Sequence, residues 1–237
     1  GRLLEMPFTH HIIPVEVTVN GEYLGNYMLT EHKEVGKDRI NIGDEGVLLE
    51  LDTNFDEAFQ FKSAIYSLPT MIQYPELEDE EDEAIALLKM AEIQSDFEEF
   101  EALIAADTFP ENGYRELFGL RDLAQYLIVY YISANQELNH PKSVYLYRKA
   151  GEPYRMGPIW DFDWAYGYNQ TDDDHFIHPQ SPLFWDGSSA RAGTRFFTRF
   201  LEDPEFVEIL QLEWEQFKAD LYPVLMDYIQ GYAEVIR

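Results

Sequence analysis

The feature that most restricts the fold of this chain is an aromatic segment with two acids, residues 156–167 (MGPIWDFDWAYG). Asp161 and Asp163 lie two residues apart between Trp160 and Trp164. An unpaired carboxylate is costly to bury, so each acid needs a partner or water. In extended backbone the two would point to one face about 7 Å apart, where they can share a divalent cation. Alternatively, one acid caps a turn and the other pairs with an arginine, and the spacing does not decide between these two interpretations.

Composition predicts a globular protein of one domain, residues 1–237, because 46% of the residues are hydrophobic and 15% are aromatic. The net charge is −28, from 45 acids against 17 Lys and Arg. Such a surface repels phosphate backbones and anionic lipid, so nucleic-acid binding is disfavoured. No segment approaches the roughly 20 apolar residues of a membrane span, so no membrane insertion is expected. The chain has no cysteine, which excludes disulfides and thiolate chemistry.

The clearest local signal is a β-hairpin within residues 15–29. Apolar and polar residues alternate on both sides of Asn20 and Gly21. A type I′ turn needs positive φ at both central positions, and Asn-Gly satisfies this requirement best. The sequence therefore predicts two antiparallel strands joined at this dipeptide.

Further strands are predicted downstream of the hairpin. Residues 46–52 (GVLLELD) form one strand, with Glu50 and Asp52 on the face opposite Leu49 and Leu51. Shorter extended segments are predicted at 59–62 and 70–73. We expect these strands to form a mainly antiparallel sheet.

The predicted fold class is α+β, with residues 1–75 mainly β and residues 76–237 mainly α. Apolar spacing at helical period predicts helices over 84–93, 96–106 and 117–134. The second part also contains a β-hairpin.

This second hairpin leads directly to the two acids. A polar loop, 135–143, follows the long helix and contains the helix breaker Pro141. Strands are predicted at 144–148 and 154–160, so the hairpin spans residues 143–160 and ends at Asp161.

The segment after residue 167 gives weaker signals. His175 and His178 can ligate a metal, although two histidines in an acidic loop are more often exposed. Asn169 begins a glycosylation sequon that is too short to carry weight. Asp203 and Pro204 predict the start of a helix, as N-cap and N1 residues.

Four blocks of the sequence occur in the order found in one known family. They are residues 19–31 (VNGEYLGNYMLTE), 46–52 (GVLLELD), 142–147 (KSVYLY) and 157–167 (GPIWDFDWAYG). Together they resemble the spore-coat-protein-H (CotH) kinase family. The resemblance implies an atypical protein-kinase-like fold that transfers phosphate from Mg²⁺-ATP to secreted or surface proteins. It also implies a secreted or cell-surface location.

The resemblance assigns roles to acids along the chain. In protein kinases a long helix leads to a catalytic loop, and a hairpin then leads to the metal-binding Asp. By this likeness Asp161, with Asp163, holds Mg²⁺, and Glu137 is the acid that orients the attacking hydroxyl. Glu31 is expected to position a nucleotide-binding lysine.

Some positions depart from the family pattern. Glu137 stands where the family usually has Asp, and Ser143 stands where it has a metal-binding Asn. Gln73 replaces an expected basic residue. With Glu31, both Glu50 and Ser143 are assigned to the nucleotide site.

A phosphate-binding lysine is not identified by the motifs. The family segment upstream of the first hairpin, which should supply one, is expected to lie outside these residues, as in an N-terminally truncated domain. Lys33, Lys37 and Lys62 are possible substitutes, but each is more readily interpreted as a surface lysine.

Three functions are consistent with the sequence. The first is an Mg²⁺-ATP-dependent kinase acting on a protein substrate. The second is a non-catalytic kinase-like module that binds a surface-protein partner. The third is a glycan-active or glycan-binding protein, because paired acids among aromatic residues also suit sugars.

Overall fold

The computed structural model describes residues 1–166, 182–184 and 190–236, so Asn169, His175 and His178 lie outside the described residues. The protein has an α+β fold. Its strands are β1 (Ile12–Val19), β2 (Glu22–Thr30), β3 (Val47–Leu51), β4 (Gln60–Lys62), β5 (Pro69–Tyr74), β6 (Val144–Arg148) and β7 (Arg155–Met156). Its α-helices are α1 (Glu83–Ala105), α2 (Leu120–Ile132), α3 (Ala192–Phe200), α4 (Pro204–Gln216) and α5 (Tyr222–Val235).

The first hairpin forms as predicted but makes a sheet of its own. β1 and β2 pair antiparallel, and Asn20 (φ 54°) and Gly21 (φ 87°) both adopt the left-handed conformation of a type I′ turn. The expectation that this hairpin joins the following strands is wrong, because β1 and β2 form a separate two-stranded sheet.

The second sheet joins the two parts of the chain. It has five antiparallel strands in the order β4-β5-β3-β6-β7. The sheet is therefore not confined to residues 1–75, since the second hairpin pairs with β3. β7 is shorter than the predicted 154–160 because Pro158 has no N–H to extend the ladder.

The two faces of this sheet have different neighbours. Leu49, Leu51 and Leu146 belong to the main core with the helices. Leu48, Tyr145 and Tyr147 belong to a smaller cluster that includes Ile40 and Ile42. Because side chains alternate along a strand, Glu50 lies on the side of this smaller cluster.

The region predicted as two helices, 84–93 and 96–106, is a single helix, α1. Ile93, Phe97, Phe100 and Ile104 are all buried at spacings of three and four residues. This continuous stripe packs against the core through the expected break, so the polar residues between the two segments stay on the outer face.

α2 confirms the predicted long amphipathic helix and delivers the chain to the 135–143 loop. α3 packs on that loop through Gly193, where an added Cβ would lie 1.9 Å from the carbonyl oxygen of Leu138. None of the described helices combines the length and apolarity that a bilayer crossing requires.

The start of α4 also follows the prediction. Asp203 is the N-cap and accepts a hydrogen bond from the backbone N–H of Glu205, with Pro204 in the first turn. The same carboxylate receives two hydrogen bonds from the Arg115 guanidinium, at 2.9 and 2.7 Å. Asp203 therefore ties α4 to the segment before α2.

Candidate functional site

Glu137 is the single acid in the sequence of the 135–143 loop, and 1% of its surface is exposed. The Asn135 side chain bonds both the carboxylate and the backbone of Glu137. The Asn135 side-chain amide donates to Glu137 Oε2 at 3.0 Å, and Asn135 Oδ1 accepts from the Glu137 backbone N–H at 2.8 Å. The other oxygen, Oε1, is buried and has no hydrogen-bond partner among the described residues. Glu137 is thus a fixed carboxyl group with one acceptor position unused.

Burial raises the pKa of Glu137 to about 7. The hydrogen bond from Asn135 and the charge of Lys142 oppose this rise, whereas the charges of Asp163 and Asp161 add to it. Electrostatic effects of this kind need short distances. The structure therefore brings Glu137, Lys142 and the paired aspartates into one neighbourhood.

The paired aspartates lie on a turn and not on a strand. Asp161 has a left-handed φ of 55°, and the backbone N–H of Ala165 donates to the carbonyl of Phe162 at 3.1 Å. β7 ends before this segment, so the arrangement that extended backbone would give the two acids does not occur here.

The carboxylates of Asp161 and Asp163 nevertheless interact. Both residues are exposed, and the pKa of Asp163 is raised, first by burial and then by the charge of Asp161. The charge of Lys142 and the backbone N–H groups of Trp164 and Asp163 act to lower the pKa of Asp163. Within the described ranges, neither aspartate forms an ion pair with an arginine.

Ser143 connects the aspartate turn to the sheet. Its hydroxyl donates to Asp161 Oδ2 over a long 3.4 Å, and its backbone N–H donates to Asp52 Oδ2 at 3.0 Å. Asp52 also accepts from the backbone N–H of Asn54 at 2.6 Å. Asp52 thereby fixes the end of β3 against the start of β6.

A second lysine of the site, Lys33, contacts β3. Lys33 Nζ is 3.0 Å from Glu50 Oε2, and the two side chains are 19% and 6% exposed. Lys33 also donates to the hydroxyl of Tyr145, which is paired with Glu50 across β3 and β6. Burial raises the pKa of Glu50, while Tyr145 and Lys33 act to lower it. The interpretation of Lys33 as a surface lysine is therefore wrong.

Several other residues considered from the sequence lie away from this ion pair. Glu31 bonds the backbone N–H and the ring of His11, at 2.7 and 2.9 Å, so the acid facing the lysine is Glu50. Lys37 and Lys62 are exposed. Gln73 donates to Glu57 at 3.1 Å.

The donor set fits a hard cation in its chemistry. Mg²⁺ takes oxygen ligands, and Asp161, Asp163 and Ser143 offer only oxygen. The unused, buried Oε1 of Glu137 lies in the same neighbourhood. In the part of the chain that the structure describes, however, no group of three or more acids or histidines is assembled for a metal. The acids would thus supply part of a coordination shell that phosphate oxygens complete.

Three residues of this neighbourhood were not assigned from the sequence. Asp52 could have been found from the sequence, because it lies on the same strand face as Glu50. Nothing in the sequence pointed to a role for Asn135 or Lys142, since their positions depend on how the loop folds. Each becomes visible only when β3, the loop and the aspartate turn are brought together.

The fold and the site define an α+β protein with buried acids and a buried lysine arranged along one sheet face and the adjoining loop. The sequence matches the family described as CotH kinase protein over residues 6–237. The chain therefore belongs to the CotH kinase protein family, and this membership supports a kinase-like domain. No curated protein matches the chain.

Proposed function

We propose that this protein is a phosphotransferase that moves the γ-phosphoryl group of ATP to a hydroxyl group of a secreted or surface protein. The observation that carries the proposal is Glu137, a buried carboxyl group held through Oε2 with Oε1 unused. A pKa of about 7 suits a group that must accept a proton near neutral pH.

Each residue of the site has a defined part in this reaction. Asp161 and Asp163, with Ser143, would hold Mg²⁺, which neutralises charge on the phosphates when bound. Glu137 Oε1 accepts a hydrogen bond from the substrate hydroxyl and then its proton. Lys33, oriented by Glu50, offers a cation for the phosphates of ATP. Asn135 keeps the Glu137 carboxyl group in place.

A second candidate is a non-catalytic kinase-like module that binds a surface protein. Two observations favour it: Glu137 Oε1 is shielded from solvent, and no three-acid cluster is assembled among the described residues. A glycan-active role has less support, because Asp161 and Asp163 lie on one turn. The carboxyl groups of a glycoside hydrolase must instead face each other across the scissile bond.

The test is the thermal stability of the protein with and without Mg²⁺-ATP. Binding at about 100 times the Kd raises the free energy of unfolding by about 2.7 kcal/mol. We expect this stabilisation for the natural sequence and its loss in Asp161→Asn. Asn is preferred to Ala because it tolerates the left-handed backbone of Asp161.

The matched control is Asp227→Asn, which removes an exposed aspartate on α5. It should keep the full response to Mg²⁺-ATP. Transfer of ³²P from ATP to a protein, including the chain itself, separates the two candidates. Nucleotide binding without any transfer, or no binding at millimolar Mg²⁺-ATP, would reject the kinase proposal.

A further inference from the structure

Lys142 occupies an unusual position for a lysine in so acidic a chain. It lies between Pro141 and Ser143 in the 135–143 loop and is partly buried. Its Nζ atom is 4.9 Å from the centre of the Trp164 ring. Among the described residues no carboxylate lies within ion-pair distance of it. The ammonium group thus contacts an aromatic face, and no salt bridge to a described residue neutralises it.

Two carboxyl groups of the site feel the charge of this ammonium group. The charge of Lys142 acts on the carboxyl groups of both Glu137 and Asp163. Trp164, which holds the lysine, directly follows Asp163 in sequence. Lys142 is therefore close enough to the proposed proton acceptor and to a proposed metal ligand for its charge to act on both.

The other lysine of the site cannot easily take the same role. Lys33 is 3.0 Å from Glu50 and also donates to Tyr145, so its charge is already paired on β3. A cation–π contact is weaker than a buried ion pair and is readily exchanged for a phosphate oxygen. Of these two lysines, Lys142 is the one whose charge remains available to an anion.

We infer that Lys142 binds the phosphoryl group during its transfer, through hydrogen bonds from Nζ to the non-bridging γ-oxygens. This inference rests on the proposed kinase function. In the step, the bond from γ-phosphorus to the β,γ-bridging oxygen breaks, and ADP leaves with the electron pair. The substrate hydroxyl oxygen forms the new bond to phosphorus, and its proton passes to Glu137 Oε1. Lys142 stabilises the charge on the oxygens throughout this exchange.

The experiment compares binding of Mg²⁺-ATP and Mg²⁺-ADP to Lys142→Met by calorimetry. Met keeps an apolar stem of similar length over Trp164 but removes the charge. We expect the affinity for Mg²⁺-ATP to fall roughly ten- to hundredfold, and that for Mg²⁺-ADP to change by less than about twofold. Lys142→Arg should recover part of the ATP affinity, since it restores a donor with positive charge.

Lys149→Met is the matched control, because Lys149 is exposed at the turn between β6 and β7. It should bind both nucleotides like the natural sequence. Equal losses for ATP and ADP in Lys142→Met, or no loss, would overturn the inference while leaving the kinase proposal in place. Failure of the natural sequence to bind either nucleotide would reject both.

A second measurement uses Trp164 as a reporter. If γ-phosphate draws the lysine away from the ring, Mg²⁺-ATP should change the tryptophan emission and Mg²⁺-ADP should not. Trp164→Phe should abolish this change, which assigns it among the four tryptophans. An identical emission change with both nucleotides would contradict the inference.

Discussion

At the scale of single residues, the most consequential feature is the burial of the Glu137 carboxyl group. Glu137 is 1% exposed, and its only side-chain hydrogen bond within the described residues comes from Asn135. A buried carboxyl group with one satisfied oxygen is costly when charged, and this cost raises its pKa to about 7. The burial that raises the pKa of Glu137 therefore also lowers the stability of the fold when this carboxyl group is charged.

The first prediction is a pH-dependent penalty from Glu137. The folded state raises its pKa from 4.5 to about 7, so folded protein binds more protons than unfolded protein between these values. This stability is complete below pH 4.5 and is lost as the pH rises through about 7. In EDTA, the natural sequence should lose up to about 3 kcal/mol more stability between pH 5 and pH 8 than Glu137→Gln.

Urea unfolding at the two pH values measures this difference. Glu16→Gln, at an exposed position on β1, should follow the natural sequence at both. Parallel pH profiles for Glu137→Gln and the natural sequence would show that Glu137 does not titrate in this range.

At the scale of elements, β3 carries a buried ion pair that reaches the neighbouring strand. Glu50 accepts from Lys33 and lies opposite Tyr145 on β6. Removing one partner of a buried pair leaves the other charge unpaired. Lys33→Met should therefore destabilise the fold by about 3 kcal/mol, and Lys33→Met with Glu50→Gln should recover most of this loss.

Chemical denaturation of the single and double variants tests the coupling. Lys37→Met, which changes an exposed lysine a few residues away, should have no measurable effect. Additive losses in the double variant would mean that Lys33 and Glu50 stabilise the strand independently.

The second prediction at this scale concerns the close contact between α3 and the 135–143 loop. A Cβ at Gly193 would lie 1.9 Å from the Leu138 carbonyl oxygen and 2.9 Å from the Pro141 ring. Backbone cannot move aside cheaply, so Gly193→Ala should cost at least about 2 kcal/mol and displace the loop.

Gly231→Ala on α5 is the matched control, for which we expect a gain in stability and not a loss. No atom lies within 4 Å of a Cβ at this position, and alanine favours a helix over glycine. It should therefore stabilise the protein by about 0.5–1 kcal/mol. Both free energies are read from urea unfolding, and a neutral Gly193→Ala would show that the loop is free to shift.

At the scale of the whole molecule, charge is the dominant property. With a net charge of −28, carboxylates repel one another across the surface. Salt shortens the range of this repulsion from about 30 Å at 0.01 M to about 10 Å at 0.1 M. Raising NaCl from 0.01 to 0.1 M should stabilise the fold by on the order of 1 kcal/mol.

Thermal unfolding across this salt series checks the prediction, with sucrose as an uncharged control for solvent effects. A melting temperature that is insensitive to salt, or that falls with it, would mean that paired charges outweigh the repulsion. Such pairs exist, for example between Arg115 and Asp203, where the pKa of Asp203 is lowered by hydrogen bonds from Arg115 and Tyr114 despite its burial.

The sequence by itself determined the features that depend on neighbours along the chain. The Asn20-Gly21 turn, the strand character of 46–52, the long helix predicted over 117–134 and the Asp203 cap all follow from local backbone preference and periodicity. The family blocks likewise indicated the membership that the match over residues 6–237 shows.

Only the tertiary structure decided which of these pieces meet. It separated the first hairpin from the second sheet, joined α1 into one helix and placed Lys33 against Glu50. It also put Lys142 over Trp164 and enclosed Glu137 with one oxygen unpaired. These outcomes depend on burial and on contacts between residues distant in sequence. Local sequence patterns do not show how much free energy burial or such contacts contribute. The arrangement of the site is therefore set by packing, although Glu50, Ser143, Asp161 and Asp163 already stand in the sequence blocks.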